Sequence, residues 1–286
     1  SRQSPAEAIF LSFASSFNKG ITVQAIGGII LSQSVTTKNS QTTLRAGQDG
    51  LQVNDRMSLS TTNQLLTVTA DDMVEIIWEG LSTYNRSSTV YIRPMYWAIE
   101  GGDLAIVPME NSTAFSICLE EIPMAPVDSV TTLTTTSFRR PVLADNVVNA
   151  KAGCLYPNNA RMLAEARSKG FTNALVADAA GNVAETATAN IFMVRDGEVL
   201  TPIPNGTFLA GITRARHIQN LREYGKKVLE TVLTFQDFED ADEVFMTGNM
   251  TKIMPVTAFE DKNYQVGSVA KLARELYWDW SRTQTL

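Results

Sequence analysis

Lys151 lies in the stretch NVVNAKAGCLYPNN, with Ala150, Ala152, Gly153 and Cys154 around it and Tyr156 five residues on. A lysine ends in a charge that seeks water, so small and apolar chain neighbours suggest an amine withdrawn from solvent. Such a setting disfavours the ammonium form and frees the amine to act as nucleophile and base, the chemistry of Schiff-base formation. The bland reading is a lysine whose stem merely flanks a helix, and partners elsewhere in the chain must decide between the two.

Other chemistries lack their residues. The chain holds a single histidine, His217, which removes Ser-His-Asp and Cys-His arrangements and multi-histidine metal sites; we read it as a satisfied or solvated helix residue. Neither a GxxxxGK[ST] loop nor a strand-linked GxGxxG is found. The carboxylate pairs Asp71-Asp72 and Glu120-Glu121 are adjacent in sequence, so their side chains diverge, and they read as solvated positions. The two cysteines, Cys118 and Cys154, have no CxxC spacing, and no metal site is expected.

The chain of 286 residues carries net charge −6 with no basic block, which argues against nucleic acid as a partner. No apolar run approaches the roughly 18 residues a membrane span needs. With two cysteines far apart in sequence and no visible signal peptide, a cytoplasmic protein is expected, and the four Asn-x-Ser/Thr matches from Asn85, Asn111, Asn205 and Asn249 are read as chance. The chain opens at Ser1 without a methionine, which we read as a few residues removed ahead of it.

The elements that must position these residues are clearest after residue 69. Thr69 is placed to cap a helix in which Met73, Ile76, Ile77 and Trp78 form one apolar face. TVYIRPMYWAIE, DLAIVP and TAFSICLEE read as strands, the first and last alternating with period 2. NNARMLAEARSKG is a helix closed by Gly170, NALVADAAGNVAET a strand pair, and IFMVRDGEVLTP a hairpin turning at Asp196-Gly197. A helix at TRARHIQNLREYG, strands at KKVLETVLT, DEVFMTGN and KIMPVTAFE, and a closing helix at SVAKLARELYWDWSR complete an α+β pattern. Between Phe17 and Trp78 no aromatic residue occurs and Ser and Thr are abundant; no repeat at solenoid period is evident there.

Five stretches in order, YIRP from Tyr91, AKAGCLYPNN from Ala150, GNVAETATANIF from Gly181, NGTFLAGITR from Asn205 and ADEVFMTGN from Ala241, closely resemble the branched-chain amino acid aminotransferases. These are fold type IV pyridoxal-phosphate enzymes of D-amino acid aminotransferase-like architecture, and the match spans roughly residues 70 to 265. The resemblance implies two domains: residues 1–122 as a small N-terminal α/β domain, 123–129 as a linker, and 130–286 as a large C-terminal cofactor-binding domain. It implies pyridoxal 5'-phosphate as cofactor and Lys151 as the lysine that joins its aldehyde and shuttles the substrate proton. Glu185 would face the pyridine nitrogen and Tyr156 the phenolic oxygen. Gly211, Ile212 and Thr213 would cradle the phosphate at a helix start, with Thr247, Gly248 and Asn249 as the second phosphate loop.

Tyr91 and Arg93, two apart on a strand, would read the substrate carboxylate, with Met250 and Thr251 bordering the pocket. The implied reaction moves an amino group from an L-amino acid, branched-chain by the YIR element, to a 2-oxo acid such as 2-oxoglutarate, in a homodimer. (R)-selective amine and D-amino acid transaminases share the same core motifs, and a non-catalytic relative with weak cofactor binding is the alternative of another class. Upstream of residue 70 the pattern breaks. Ungapped alignment puts Gln52 where the family carries a phosphate-binding arginine; Arg45 or Arg56 would take that place in a shifted register.

Overall fold

The computed structural model describes residues 70–284 except 103, 105, 110 and 111, and before them the backbone of eight short strands. The chain divides into two compact units, Ser1–Pro123 and Met124–Leu286.

In the first unit the strands are β1 (Ala8–Leu11), β2 (Ser15–Phe17), β3 (Thr22–Gln24), β4 (Gly28–Leu31), β5 (Val35–Lys38), β6 (Thr43–Arg45), β7 (Leu51–Val53) and β8 (Leu59–Thr62). They pair in parallel as β1-β4-β7, β2-β5-β8 and β3-β6. Ala8 lies opposite Gly28 and Val35 opposite Leu59, so partners are 20 and 24 residues apart. Strands three apart in chain order therefore pair in parallel, the ladder pattern of a parallel β-solenoid, which the sequence does not announce. The repeat is one of backbone pairing over unequal intervals, and such a repeat leaves no self-similar string of residues.

Helix α1 (Ala70–Leu81) follows, then the antiparallel pair β9 (Val90–Ala98) and β10 (Thr113–Glu121). Trp78 is half exposed, so the face expected of Met73, Ile76, Ile77 and Trp78 is narrower than its sequence suggests; Thr69, its expected cap, lies outside the described residues. The burial of β9 does not alternate, and the described side chains of β10 are half-buried almost throughout. The described residues of DLAIVP form no strand: Leu104 has a left-handed φ of 57° and is 90% exposed, and Pro108 makes an isolated bridge to Gly101. The flanking Gly101-Gly102 releases the chain into a turn that its apolar residues alone do not announce.

The second unit is built on one sheet of nine strands. Its elements are β11 (Thr131–Thr135), α2 (Tyr156–Ser168), β12 (Asn173–Ala177), β13 (Val183–Thr186), β14 (Asn190–Arg195), β15 (Glu198–Pro202), α3 (Ile212–Glu223), β16 (Val228–Thr231), α4 (Phe235–Glu239), β17 (Glu243–Thr247), β18 (Met254–Phe259), β19 (Lys262–Asn263) and α5 (Ser268–Arg282). The order across the sheet is β13-β12-β11-β18-β17-β14-β15-β16, with β19 beside β18. Parallel and antiparallel pairs are mixed, and helices cover the sheet, the α+β class expected.

Local signals account for these elements. Gly170 closes α2 at φ 87°, and Asp196 and Gly197 both take positive φ in the β14–β15 turn. The short α4, not anticipated from periodicity, exists because Thr234 and Asp237 form a reciprocal capping box. One core joins Leu133, Leu175, Ile191, Met193, Phe238 and Phe259; another, holding Phe192, Ile218, Phe245 and Ala273, seats α3 and α5.

The start of α5 is secured from the sheet. Glu243 at the head of β17 accepts hydrogen bonds from Val269 N at 3.1 Å and Ala270 N at 3.2 Å, a carboxylate at the positive helix end. Glu243→Ala is expected to lower stability by about 1–2 kcal/mol, read as an earlier urea midpoint with unchanged slope. An unmoved midpoint would show that this carboxylate does not cap the helix.

Candidate active site

Glu185 sits on β13, opposite Val176 of β12, and is 8% exposed. The turn joining the two strands is tied by Asp178, whose carboxylate accepts from Ala180 N and Asn182 N, each at 2.9 Å. Asp178 also accepts from Asn205 Nδ2 at 2.9 Å, and Asn205 Oδ1 in turn takes the Thr207 hydroxyl at 2.6 Å. The loop between β15 and α3 is thereby held to the β12–β13 turn.

A buried carboxylate requires a counter-charge or neutralisation. Arg140, 4% exposed, supplies one: its Nη2 meets Glu185 Oε1 at 2.8 Å. The other guanidinium nitrogens are satisfied too, Nη1 by Asn159 Oδ1 of α2 at 2.8 Å and Nε by Thr207 O at 3.4 Å. Arg140 is itself placed by its backbone, which donates to Ala177 O, and by Glu165, whose carboxylate takes Thr136 Oγ1 and Ser137 N in the preceding turn. Those hydrogen bonds hold the Glu165 carboxyl down to about 2.

The second oxygen of Glu185 meets Asn190 Nδ2 at 3.3 Å, and the same nitrogen donates to Leu209 O at 2.9 Å. Asn190 Oδ1 accepts from Gly211 N at 3.1 Å, so one side chain ties the carboxylate to the start of α3. A Cβ at Gly211 would come within 2.5 Å of Asn190 Oδ1, which is why this position holds glycine even though its φ of −66° is open to any residue. Among the described residues no side chain caps α3, which leaves the N–H groups of its first turn, Ile212 and Thr213 among them, without a side-chain acceptor.

Across the sheet Asn190 pairs with Thr247, the last residue of β17. The Thr247 hydroxyl is buried and has no hydrogen-bond partner among the described residues. Gly248 approaches Ala189, and Asn249 Oδ1 accepts from Lys252 Nζ. The two loops 211–213 and 247–249 therefore converge on Asn190. Met250 is 45% exposed beside them.

Lys151 follows a tight turn and precedes a 3-10 turn, Gly153–Leu155, that leads into α2. Its side chain is exposed, which corrects the expectation of an apolar enclosure: small chain neighbours leave it open rather than covering it. Its charge nonetheless reaches Glu185, so the structure brings these two together. Tyr156 begins α2 and is 53% exposed. His217 is wholly buried with Nε2 on Lys252 O at 3.1 Å and Nδ1 unpartnered among the described residues, so it is neither solvated nor, among them, fully satisfied.

Tyr91 and Arg93 belong to β9 in the first unit. They do share a face, with the Arg93 guanidinium 5.1 Å from the centre of the Tyr91 ring. Arg93 is exposed and forms no ion pair with a carboxylate among the described residues. Gln52 lies on β7 and Arg45 ends β6, while Arg56 lies outside the described residues. Arg140 and Asn190 were missed by sequence reasoning; the signals available were an arginine between Phe138 and Pro141, and an asparagine just ahead of an apolar strand.

Desolvation pushes the Glu185 carboxyl up to about 7, against the pull of Arg140 and Lys151. Its ordinary value is 4.5, so between these pH values the folded protein keeps a proton that the unfolded chain has released. The stability this proton contributes is full below about 4.5 and lost as pH rises through about 7. Cofactor-free Glu185→Gln, with nothing to titrate there, is expected to gain on the parent across that window and to run parallel to it above. Urea unfolding over a pH series reads this, and a constant difference would contradict it.

The Amino-transferase class IV family model matches residues 55–259. The putative branched-chain-amino-acid aminotransferase of Methanocaldococcus jannaschii is 32% identical over 221 residues, 75% of each chain. The probable branched-chain-amino-acid aminotransferase of Aquifex aeolicus is 30% identical over 75% of this chain and 70% of its own. Among solved structures, an aminotransferase from Brucella abortus bound to pyridoxal phosphate is 56% identical with a TM-score of 0.74, covering 76% of this chain and 77% of that one. The branched-chain aminotransferase of Thermoproteus uzoniensis with norvaline has a TM-score of 0.69 at 26% identity, over 74% and 71%.

Proposed function

This chain belongs to the class IV aminotransferase family, and on that premise we propose that it moves an amino group from a branched-chain L-amino acid to a 2-oxo acid such as 2-oxoglutarate. It is a pyridoxal-phosphate-dependent transaminase. The residues fit the cofactor. The orphaned Thr247 hydroxyl and the uncapped first turn of α3 supply donors of the kind a phosphate takes, and Glu185 supplies one buried carboxylate for a ring nitrogen.

In this reading Ile212, Thr213, Thr247, Gly248 and Asn249 hold the phosphate, with Gly211 admitting the approach that starts α3. Glu185, fixed by Arg140 and Asn190, holds a proton on the pyridine nitrogen, and Tyr156 donates to the phenolic oxygen. When bound, the cofactor supplies an aldehyde that captures the amine and a ring that accepts the electron pair leaving the substrate carbon. Lys151, exposed, would take the proton from the substrate Cα and return it to the cofactor's C4′ carbon, across the intervening nitrogen. Its openness suits a base that must swing aside when the substrate amine arrives.

Arg93 is the observation that carries the amino-acid reading. An exposed guanidinium without a carboxylate partner among the described residues, stacked toward Tyr91, suits bidentate capture of a substrate carboxylate. Met250 offers an apolar border for an aliphatic side chain. The names of the relatives favour branched-chain donors. We further propose a cytoplasmic homodimer, supported by apolar side chains left exposed in the first unit, with Tyr96 78% and Ile106 79% exposed.

A panel of amino donors is expected to show leucine, isoleucine and valine turnover, abolished with the visible absorbance in Lys151→Ala. Arg93→Ala should raise the KM for leucine by about tenfold or more. The same preparation should scatter light as a dimer at micromolar concentration. Preference for (R)-1-phenylethylamine or a D-amino acid would overturn the substrate assignment, and a monomer the assembly.

A further inference from the structure

In the turn after β17, Lys252 Nζ donates to Asn249 Oδ1 at 2.8 Å. We infer that Lys252 is the cationic residue of the phosphate site, a positioning residue that acts through the Asn249 side-chain amide. The inference rests on the transaminase reading above.

The turn is held at both ends. Lys252 N donates to Gly248 O at 2.8 Å, and Lys252 O faces His217 Nε2 at 3.1 Å. Burial pulls the His217 imidazole down to about 4, so near neutrality the ring is uncharged, and the only ring hydrogen this contact can use is on Nε2. Between these two bonds Lys252 adopts a left-handed φ of 57°, a conformation rare for a long side chain and kept only where surroundings impose it. The lysine is therefore directed, not trailing in solvent.

A phosphate dianion needs positive charge, and the donors of the two loops are neutral backbone and hydroxyl groups. The neighbouring guanidinium groups are already engaged. Arg140 is paired with Glu185, Arg214 in the first turn of α3 with Glu230 at 3.0 Å, and Arg216 lies 4.1 Å from the centre of the Trp280 ring. Lys252 forms no ion pair among the described residues; besides Asn249 it meets only the Tyr277 ring, 5.8 Å away. Partial burial lowers its pKa.

Asn249 transmits that charge. With Oδ1 turned to the ammonium, its two Nδ2 hydrogens are free among the described residues, and polarisation by the adjacent cation makes them stronger donors. Lys252 thus meets the demand for positive charge within the second unit, where the family model matches and which Gln52, ahead of residue 55, lies outside.

The test uses the whole chain freed of cofactor and titrated with pyridoxal phosphate and with pyridoxal, which lacks the phosphate. Lys252→Met is expected to weaken pyridoxal phosphate by about tenfold to a hundredfold and to leave pyridoxal unchanged. Lys252→Arg should recover most of the loss, and Asn249→Ala should show the same phosphate-selective loss. Inorganic phosphate should raise the melting temperature of the parent more than that of Lys252→Met. Equal affinity for pyridoxal phosphate in the parent and Lys252→Met, or parallel weakening of both cofactor forms, overturns the assignment alone. A parent that takes up neither form overturns the transaminase reading and this assignment with it.

Discussion

The ion pair between Arg140 and Glu185 is the constraint on which the site depends. Taking both groups out of water is expensive, and attraction alone seldom repays it unless every remaining donor and acceptor is also satisfied. Here each guanidinium nitrogen has an oxygen, and each carboxylate oxygen has a partner in Arg140 or Asn190. Removing one member of such a pair costs about 3–5 kcal/mol, because the other is left buried and uncompensated. An apolar pair of similar volume would serve stability as well. What the charged pair supplies is a carboxylate of fixed position and orientation, poised near neutrality by its burial.

That position propagates through the fold. Arg140 links the start of α2, the β12–β13 turn and the loop before α3, so three segments remote in sequence must all be in place for Glu185 to be satisfied. Asn190 extends the network to Gly211, and the β14–β17 register carries it to Thr247. Beyond Thr247 the turn at Lys252 leans on His217 of α3, which is seated against α5. Glu185, the start of α3 and the turn after β17 are thus parts of one hydrogen-bonded framework on one sheet, as preorganised chemistry requires.

Much of the second unit was legible because its elements carry local punctuation. Asp196-Gly197 and Gly170 mark a turn and a helix end by the backbone conformations they permit, and the closing helix begins and ends where its apolar spacing does. Arg140 was not legible: a buried arginine in a loop has no periodicity, and only its partners reveal it. Asn190 likewise reads as an ordinary strand entry until Gly211 is brought beside it. Lys151 misled in the opposite direction, since small neighbours along the chain say nothing about what covers a side chain in space. DLAIVP was misread because a short apolar run between glycines fits a turn as well as a strand. The solenoid ladders escaped notice because parallel pairing constrains backbone, not residue identity, and their intervals are unequal.

Glu185, held by Arg140, is expected to keep a proton on the cofactor's ring nitrogen. The 15N chemical shift of labelled pyridoxal phosphate in the loaded protein reads that proton directly. The account predicts the shift of a protonated pyridinium in the parent at neutral pH and of a bare pyridine in Glu185→Gln. A bare pyridine in the parent, or an unchanged shift in the variant, would contradict it.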